Sequence, residues 1–283
     1  MKKRMNTAQW QSRTWTGRLT GIALALVAFG ICLPITHGGL LYQFPFEYGG
    51  GTSLTNLGSI GGTATSTSVG AGIPTFVSAG APDSVWEMDF PVAAGNVNGG
   101  HLTLPSSSSL LQLDTGGDEM TVAVWVKWDG PAGGFTQTIA AKFGYDVSDP
   151  DGWRLSINDD GALNLYWSDS GGGSGNNINQ TSTGTVPSNV WTHAAVVYTT
   201  GQASPATFYI DGEDAGLVSG IGAAYSVLGS SPAIDIYLGV GWDGNGTSPL
   251  NGILDDVRFY DNALTPTEIK AFIPPTGTVV QIK

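Results

Sequence analysis

Carboxylates and aromatic rings are the side chains of this sequence best placed to do chemistry. After residue 38 the glutamates are Glu47, Glu87, Glu119, Glu213 and Glu268. Glycoside hydrolysis needs two carboxyl groups, about 5 to 5.5 Å apart for retention or about 6.5 to 9.5 Å for inversion. In Trp86-Glu87-Met88-Asp89-Phe90 the alternation of a strand puts Glu87 and Asp89 on one face. No third carboxylate completes the set, because Glu268 falls in a predicted helix, Glu119 in a turn and Pro91 follows the pair. The pair therefore reads as ordinary strand-edge residues. Nucleophilic catalysis fares no better: Cys32 is the single cysteine, no Gly-x-Ser-x-Gly elbow occurs, and His193 shares a face with Trp191, Ala195 and Val197. Those neighbours predict a packed, hydrogen-bonded histidine rather than a base.

Binding is easier to place than catalysis. Sugars are held by flat aromatic faces beside amides and carboxylates that exchange hydrogen bonds with hydroxyls. Two segments offer that mixture: Tyr166-Trp167-Ser168-Asp169 running into Asn176, Asn177 and Asn179, and Trp242-Asp243-Gly244-Asn245. The expected ligand residues are Trp167, Asp169, Asn177, Trp242, Asp243 and Asn245. The competing reading is that Trp167 and Trp242 only cap a core, as Trp125, Trp153 and Trp191 are expected to do.

These side chains must be positioned by strands, since β-branched and aromatic runs alternate with turn residues from Trp86 onward. Met120 to Trp128 is apolar on both faces, as an inner strand is. Trp153 to Ile157 and Ala162 to Trp167 flank Asn158-Asp159-Asp160-Gly161 and predict a hairpin, as do Val190 to Tyr198 and Ala206 to Ile210. Further strands are predicted at Asp235 to Val240 and Gly252 to Tyr260. The uncharged Gly/Ser/Thr-rich stretch between Glu47 and Asp83 reads as a long decorated loop or weak strands. Thr265 to Phe272 is the one helix, with Thr265 as N-cap, Pro266 next and Glu268 three residues on. The sum is an all-β, antiparallel two-sheet sandwich.

Charge separates the amino terminus from the rest. Of 11 basic residues, Lys2, Lys3, Arg4, Arg13 and Arg18 precede the first acidic residue, Glu47, leaving six against 23 acidic groups. Such a surface repels phosphate, which excludes nucleic acid as a partner. The basic segment leads into the apolar run Leu19 to Leu33 and then Thr36-His37-Gly38, the layout of a secretory signal peptide over residues 1–38. A retained anchor is the alternative, but the run is short for a hydrocarbon core of roughly 30 Å, so membrane contact is expected only through this segment. Ile31 before Cys32 argues against lipidation. Without Cys32 the remainder, a domain at 39–273 and a tail at 274–283, has no cysteine and suits export from a bacterial cell, either secreted or held in the envelope.

The succession TVAVWVK at 121–127, WRLSINDDGALNLYW at 153–167, VWTHAAVVY at 190–198, ATFYIDG at 206–212 and GILDDVRFYDNALTPTEIKAF at 252–272 resembles the laminin-G-like jelly roll of the concanavalin A-like lectins and glucanases. LLYQFPFE at 40–47 is similar to that family's first strand. The resemblance implies two sheets packed face to face with neighbouring termini, and it is compatible with glycan binding, adhesion or hydrolysis. Related glucanases would carry a second Glu where Pro91 stands. The resemblance also implies a structural Ca²⁺ held by Glu47, the turn carbonyls of Gly49 to Gly51 and Asp255, with Asp255 and Asp256 directed to opposite faces of their strand. The expected function is a non-catalytic, surface-displayed module binding a glycan or an extracellular surface protein. A structural subunit of an extracellular layer, associating through the tail, is the alternative, and a glycoside hydrolase is a weaker one.

Overall fold

The computed structural model describes residues 39–275 except 48, 50–53, 70–71, 93–98, 112, 114–117, 145–151, 169–176, 203, 222–233 and 242–246. The expected signal peptide and all of the expected tail but residues 274 and 275 lie outside them. Seventeen strands are described, in two antiparallel sheets. One sheet contains β1 (Leu40–Phe44), β4 (Thr75–Val77), β5 (Glu87–Phe90), β7 (Glu119–Trp128), β12 (Thr192–Thr199), β13 (Ala206–Ile210), β14 (Glu213–Asp214) and β17 (Gly252–Tyr260). The other contains β2 (Leu54–Thr55), β3 (Thr63–Thr67), β6 (His101–Thr103), β8 (Gln137–Phe143), β9 (Gly152–Ile157), β10 (Ala162–Ser168), β11 (Asn177–Thr185), β15 (Val218–Ile221) and β16 (Tyr237–Leu238). The architecture is the expected jelly-roll-like sandwich.

Strand β7 is central, paired with β12 on one side and β17 on the other, and that explains its two apolar faces. Its Val122, Val124, Val126 and Trp128 enter the core between the sheets. Facing them are Trp153, Leu155 and Ile157 of β9 and Leu163, Leu165 and Trp167 of β10. Trp153 and Trp128 satisfy their indole N–H groups on the carbonyls of Leu111 (2.9 Å) and Val186 (3.0 Å). The predicted weak strands between Glu47 and Asp83 are present as β2, β3 and β4.

Helix α1 (Pro266–Lys270) has the predicted cap: Thr265 Oγ1 accepts from the Glu268 amide, and Glu268 returns a carboxylate to the Thr265 amide at 2.7 Å. It packs Ile269 and Leu264 onto the outer face of the eight-stranded sheet, against Ala123, Ala195, Tyr209 and Tyr260. Lys142 also acts as a clasp. It is 2% exposed and its ammonium donates to the carbonyls of Ser107, Ser108 and Ile234, tying the loop after β6 and the entry to β16 onto β8.

Candidate functional site

The side chains that alternate with the core residues of the nine-stranded sheet form its outer face. Register pairs Arg154 with both Tyr166 and Ala141, Ser156 with Asn164 and Thr138, and Tyr166 with Asn179. Across β16 and β6 the face continues through Tyr237, Thr103 and His101. Aromatic rings line it in two groups: Phe143 meets Tyr166 at 5.6 Å, and His101 meets Tyr237 edge-on at 5.5 Å. The Arg154 guanidinium carbon stands 5.5 Å from the Tyr166 ring centre. Asn164 donates to Asn179, to the Gln180 carbonyl and to Thr181, so this amide is fixed.

Several polar atoms on this face are buried with no hydrogen-bond partner: His101 Nδ1, Thr138 Oγ1, Arg154 Nε and Ser156 Oγ. An unmade buried hydrogen bond costs about 1 to 3 kcal/mol per group, so this face carries a polar cost in its interior. Burial draws the His101 pKa down to about 4, leaving a neutral imidazole with one acceptor nitrogen at neutral pH. Gly241 lies directly over this patch. A Cβ there would lie 3.0 Å from Thr138 Oγ1 and 3.4 Å from Arg154 Cδ, so glycine lets the chain pack closely onto both. None of the nine strands contains an Asp or a Glu.

The opposite surface is different in kind. On the outer face of the eight-stranded sheet a cleft of about 320 Å³ is lined by Glu47, Asp83, Trp125, Asp255, Asp256 and Phe272 among others. As expected, the first and last strands pair, β1 with β17. The expected separation of Asp255 from Asp256 is corrected: both line this cleft. Asp256 has φ 42°, and the register shifts between Asp255 and Arg258, so a bulge breaks the alternation that would have sent the two side chains apart. Asp256 is satisfied by Arg258 Nε (2.9 Å) and Gln43 Nε2 (3.0 Å). Asp255 is 2% exposed and its Oδ1 has no partner. Burial above all, with Asp256 and Glu47 adding repulsion against hydrogen bonds from Ser84 and the Asp256 amide, pushes its pKa up to about 7. Glu47 receives the Val85 amide at 3.3 Å on each oxygen.

Trp167 is not a ligand residue. It points inward, has no exposed surface and meets Tyr198 edge-on at 4.6 Å, because the alternation that exposes Tyr166 necessarily buries its neighbour. Asp169, Trp242, Asp243 and Asn245 lie outside the described residues. Asn177 begins β11 opposite Ser168, and its side chain also lies outside them. Of the tryptophans expected in the core, Trp153 is there, whereas Trp125 is buried on the outer face against His193 at 5.4 Å, and Trp191 is half-buried, donating to the Ala79 carbonyl. His193 is packed as expected, but its Nδ1 has no partner. Glu87 is structural: fully buried, it accepts the amides of Ala79 (2.6 Å) and Ala81 (2.8 Å). The residues missed by sequence reasoning are Arg154, His101 and Tyr237. The signal for Arg154 was available, since in Trp-Arg-Leu-Ser-Ile the large apolar residues take one face and Arg154 the other.

A family model for the concanavalin A-like lectin/glucanases superfamily matches residues 95–270. No curated protein matches the chain. Among solved structures, domain 4 of AbnA, a GH43 extracellular arabinanase from Geobacillus stearothermophilus crystallised with arabinotriose, is 21% identical, with a TM-score of 0.57 over 83% of this chain and 98% of that one. The binding domain of botulinum neurotoxin DC in complex with SialylT is 10% identical, with a TM-score of 0.56 over 83% of this chain and 51% of that one. The botulinum neurotoxin type C structure, described as depending on two ganglioside molecules for cell entry, is 11% identical with a TM-score of 0.53, and this chain again spans about half of it, 50%. At these identities the likeness is one of fold. Fold, strand order and the matched span together make this chain a member of the concanavalin A-like lectin/glucanase superfamily.

Proposed function

We propose that this protein is an exported, non-catalytic carbohydrate-binding module whose ligand lies on the outer face of the nine-stranded sheet. The observation that carries the reading is the pair of partly exposed rings on that face, Tyr166 with the Arg154 guanidinium over it and Tyr237 against His101. A saccharide offers what such a surface takes: hydroxyls that both donate and accept, and C–H faces that lie on aromatic rings. The arabinotriose bound by the arabinanase domain supports carbohydrate as the ligand class. The absence of Asp and Glu from the nine strands supports binding over hydrolysis, which needs a carboxylate pair. The basic and apolar segment ending near residue 38 supports export. A glycan array tests the reading. The protein is expected to give discrete signals that Tyr166→Ala removes and that Trp167→Phe, inside the core, leaves in place. Signals insensitive to Tyr166→Ala would move the site elsewhere.

We further propose a structural Ca²⁺ in the acidic cleft of the other sheet. What supports it is that Asp255 presents a buried oxygen without a partner and that Glu47 lines the same cleft, which Arg258 also borders. Calcium accepts six to eight oxygens, so loop carbonyls would complete the shell, and the ion would neutralise a carboxylate that burial otherwise disfavours. Metal-stripped protein is expected to melt at rising temperature as Ca²⁺ is added, and Asp255→Asn to abolish that response. A melting temperature indifferent to both Ca²⁺ and EDTA removes the ion.

A further inference from the structure

The register of the nine-stranded sheet sets its accessible outward residues in a line. Tyr166 pairs with Arg154, Arg154 with Ala141, Ala141 with Tyr237, Tyr237 with Thr103 and Thr103 with Thr65, so these side chains stand abreast on neighbouring strands. Partners across a ladder point to the same side of the sheet. All of them but Ala141 are partly or fully exposed. Along the strands the exposure stops. To one side of the line the next residues on this face, His101, Thr138 and Ser156, are buried, and on the other side Phe143 is. Gly241 and Ser248 pack over Thr138, for a Cβ on Gly241 would fall 3.0 Å from Thr138 Oγ1 and 3.2 Å from Ser248 Cβ, so chain borders the line there. The accessible part of the face is thus a strip one residue wide that crosses the strands.

We propose that the ligand is an extended polysaccharide bound along its length, lying across the strands on this strip with one sugar on Tyr166 and a later one on Tyr237. This rests on the sheet-face reading above and names the substrate class for it. The two tyrosines are three strand intervals apart, about 14 Å at about 4.8 Å each, which is more than a disaccharide covers. Between them the line carries Arg154, whose guanidinium reaches the Tyr166 ring at 5.5 Å, and then Ala141, the smallest side chain of the row. Beyond Tyr237 it continues through the hydroxyls of Thr103 and Thr65, the second more exposed than the first, which gives further sugar units a surface to follow. Rings take the C–H faces of sugars and threonine hydroxyls exchange hydrogen bonds with theirs. A single terminal sugar would use one ring and leave the rest of the strip idle.

Affinity electrophoresis of the full-length protein through gels holding arabinan, xylan, mixed-linkage β-glucan or galactomannan selects the polymer, and calorimetric titration with its fragments of different lengths tests the span. At least one polymer is expected to retard the protein, and affinity to rise at least about tenfold from the disaccharide to fragments long enough to reach both rings, the scale of one further aromatic contact. Tyr237→Ala is expected to remove that gain and Tyr237→Phe, which keeps the ring, to retain it. An unchanged melting temperature separates the loss from unfolding. Should Tyr237→Ala fail to fold, Thr103→Arg, which fills the strip from a partly exposed position, is expected to remove the same gain. Affinity independent of fragment length, lost in Tyr166→Ala but unmoved by Tyr237→Ala and Thr103→Arg, overturns the spanning chain and leaves the sheet-face reading standing. Binding that none of these variants moves, or silence of every polymer, overturns both.

Discussion

Arg154 and Arg258 are both arginines on the outward side of a β-strand, and each leans over an aromatic ring, Tyr166 at 5.5 Å and Phe272 at 4.5 Å. Their surroundings are opposite. Arg258 has Asp256 two residues away, supplied by a bulge in its own strand, and the segment after α1 brings Phe272 over it. On its face α1 covers Tyr209 and Tyr260, and Lys270 reaches Glu213 across a neighbouring cleft of about 560 Å³. Arg154 has no such companion among the described residues. Among the described strands, the eight-stranded sheet holds every carboxylate and the nine-stranded sheet holds none. One face carries strand carboxylates that pair with its arginine, and the other carries none among its described strands.

Acid should act on both faces through their buried histidines, and this is the largest effect expected; on the eight-stranded face Asp255, pushed up to about 7, works in the opposite sense. Each has one buried histidine, His101 and His193, and burial draws each pKa from 6.5 down to about 4, with Asp256 raising and Arg258 lowering the latter more weakly. At these two histidines the folded state binds fewer protons than the unfolded chain between pH 6.5 and 4, so the stability they contribute above 6.5 is lost as pH falls through that window. At 1.36 kcal/mol per pKa unit, each histidine contributes on the order of 3 kcal/mol to the loss. Denaturant titrations at pH 7 and pH 4.5 should show His101→Phe and His193→Phe each flattening the pH dependence by a similar amount. If only one does, the two faces are not equally sealed.

The sandwich was legible because its signals are local and repeated: alternation in Trp-Arg-Leu-Ser-Ile, the Asn-Asp-Asp-Gly turn and the capping box each fix an element alone. The site was less so. Trp167 attracted notice because aromatic residues near amides resemble a sugar platform, yet the adjacent Tyr166 carries the outward position, and one residue of register decides between them. His101 and Tyr237 come together only through β16 pairing with β6, strands separated by more than a hundred residues. The bulge at Asp256 depends on a single left-handed backbone angle that no spacing announces.

Exchanging each arginine for methionine puts the comparison to a direct test. Arg258→Met strips Asp256 of its bidentate partner, leaving Gln43 as its remaining side-chain donor, and at roughly one-fifth exposure should cost about 2 kcal/mol. Arg154→Met removes a charge with no carboxylate to orphan, so the ligand-free protein should keep its stability or gain slightly. Equal losses at the two positions would mean that Arg154 has a protein partner after all.

The smallest effect belongs to the element that finishes the eight-stranded face. Thr265 Oγ1 accepts the Glu268 amide at 3.3 Å, and the Glu268 carboxylate closes on both the Thr265 amide and its hydroxyl. With only five residues, α1 cannot stand by propensity and depends on this cap and on Ile269 beneath it. Thr265→Ala deletes one half of the box and should cost about 1 kcal/mol, read as a shift of the denaturation midpoint without change in slope. Glycan binding on the far sheet should be untouched, since α1 makes its contacts with the outer side of the eight-stranded sheet. A loss of binding in Thr265→Ala would show that the covered face and the open one are coupled through the core, and that the completeness of one helps to shape the other.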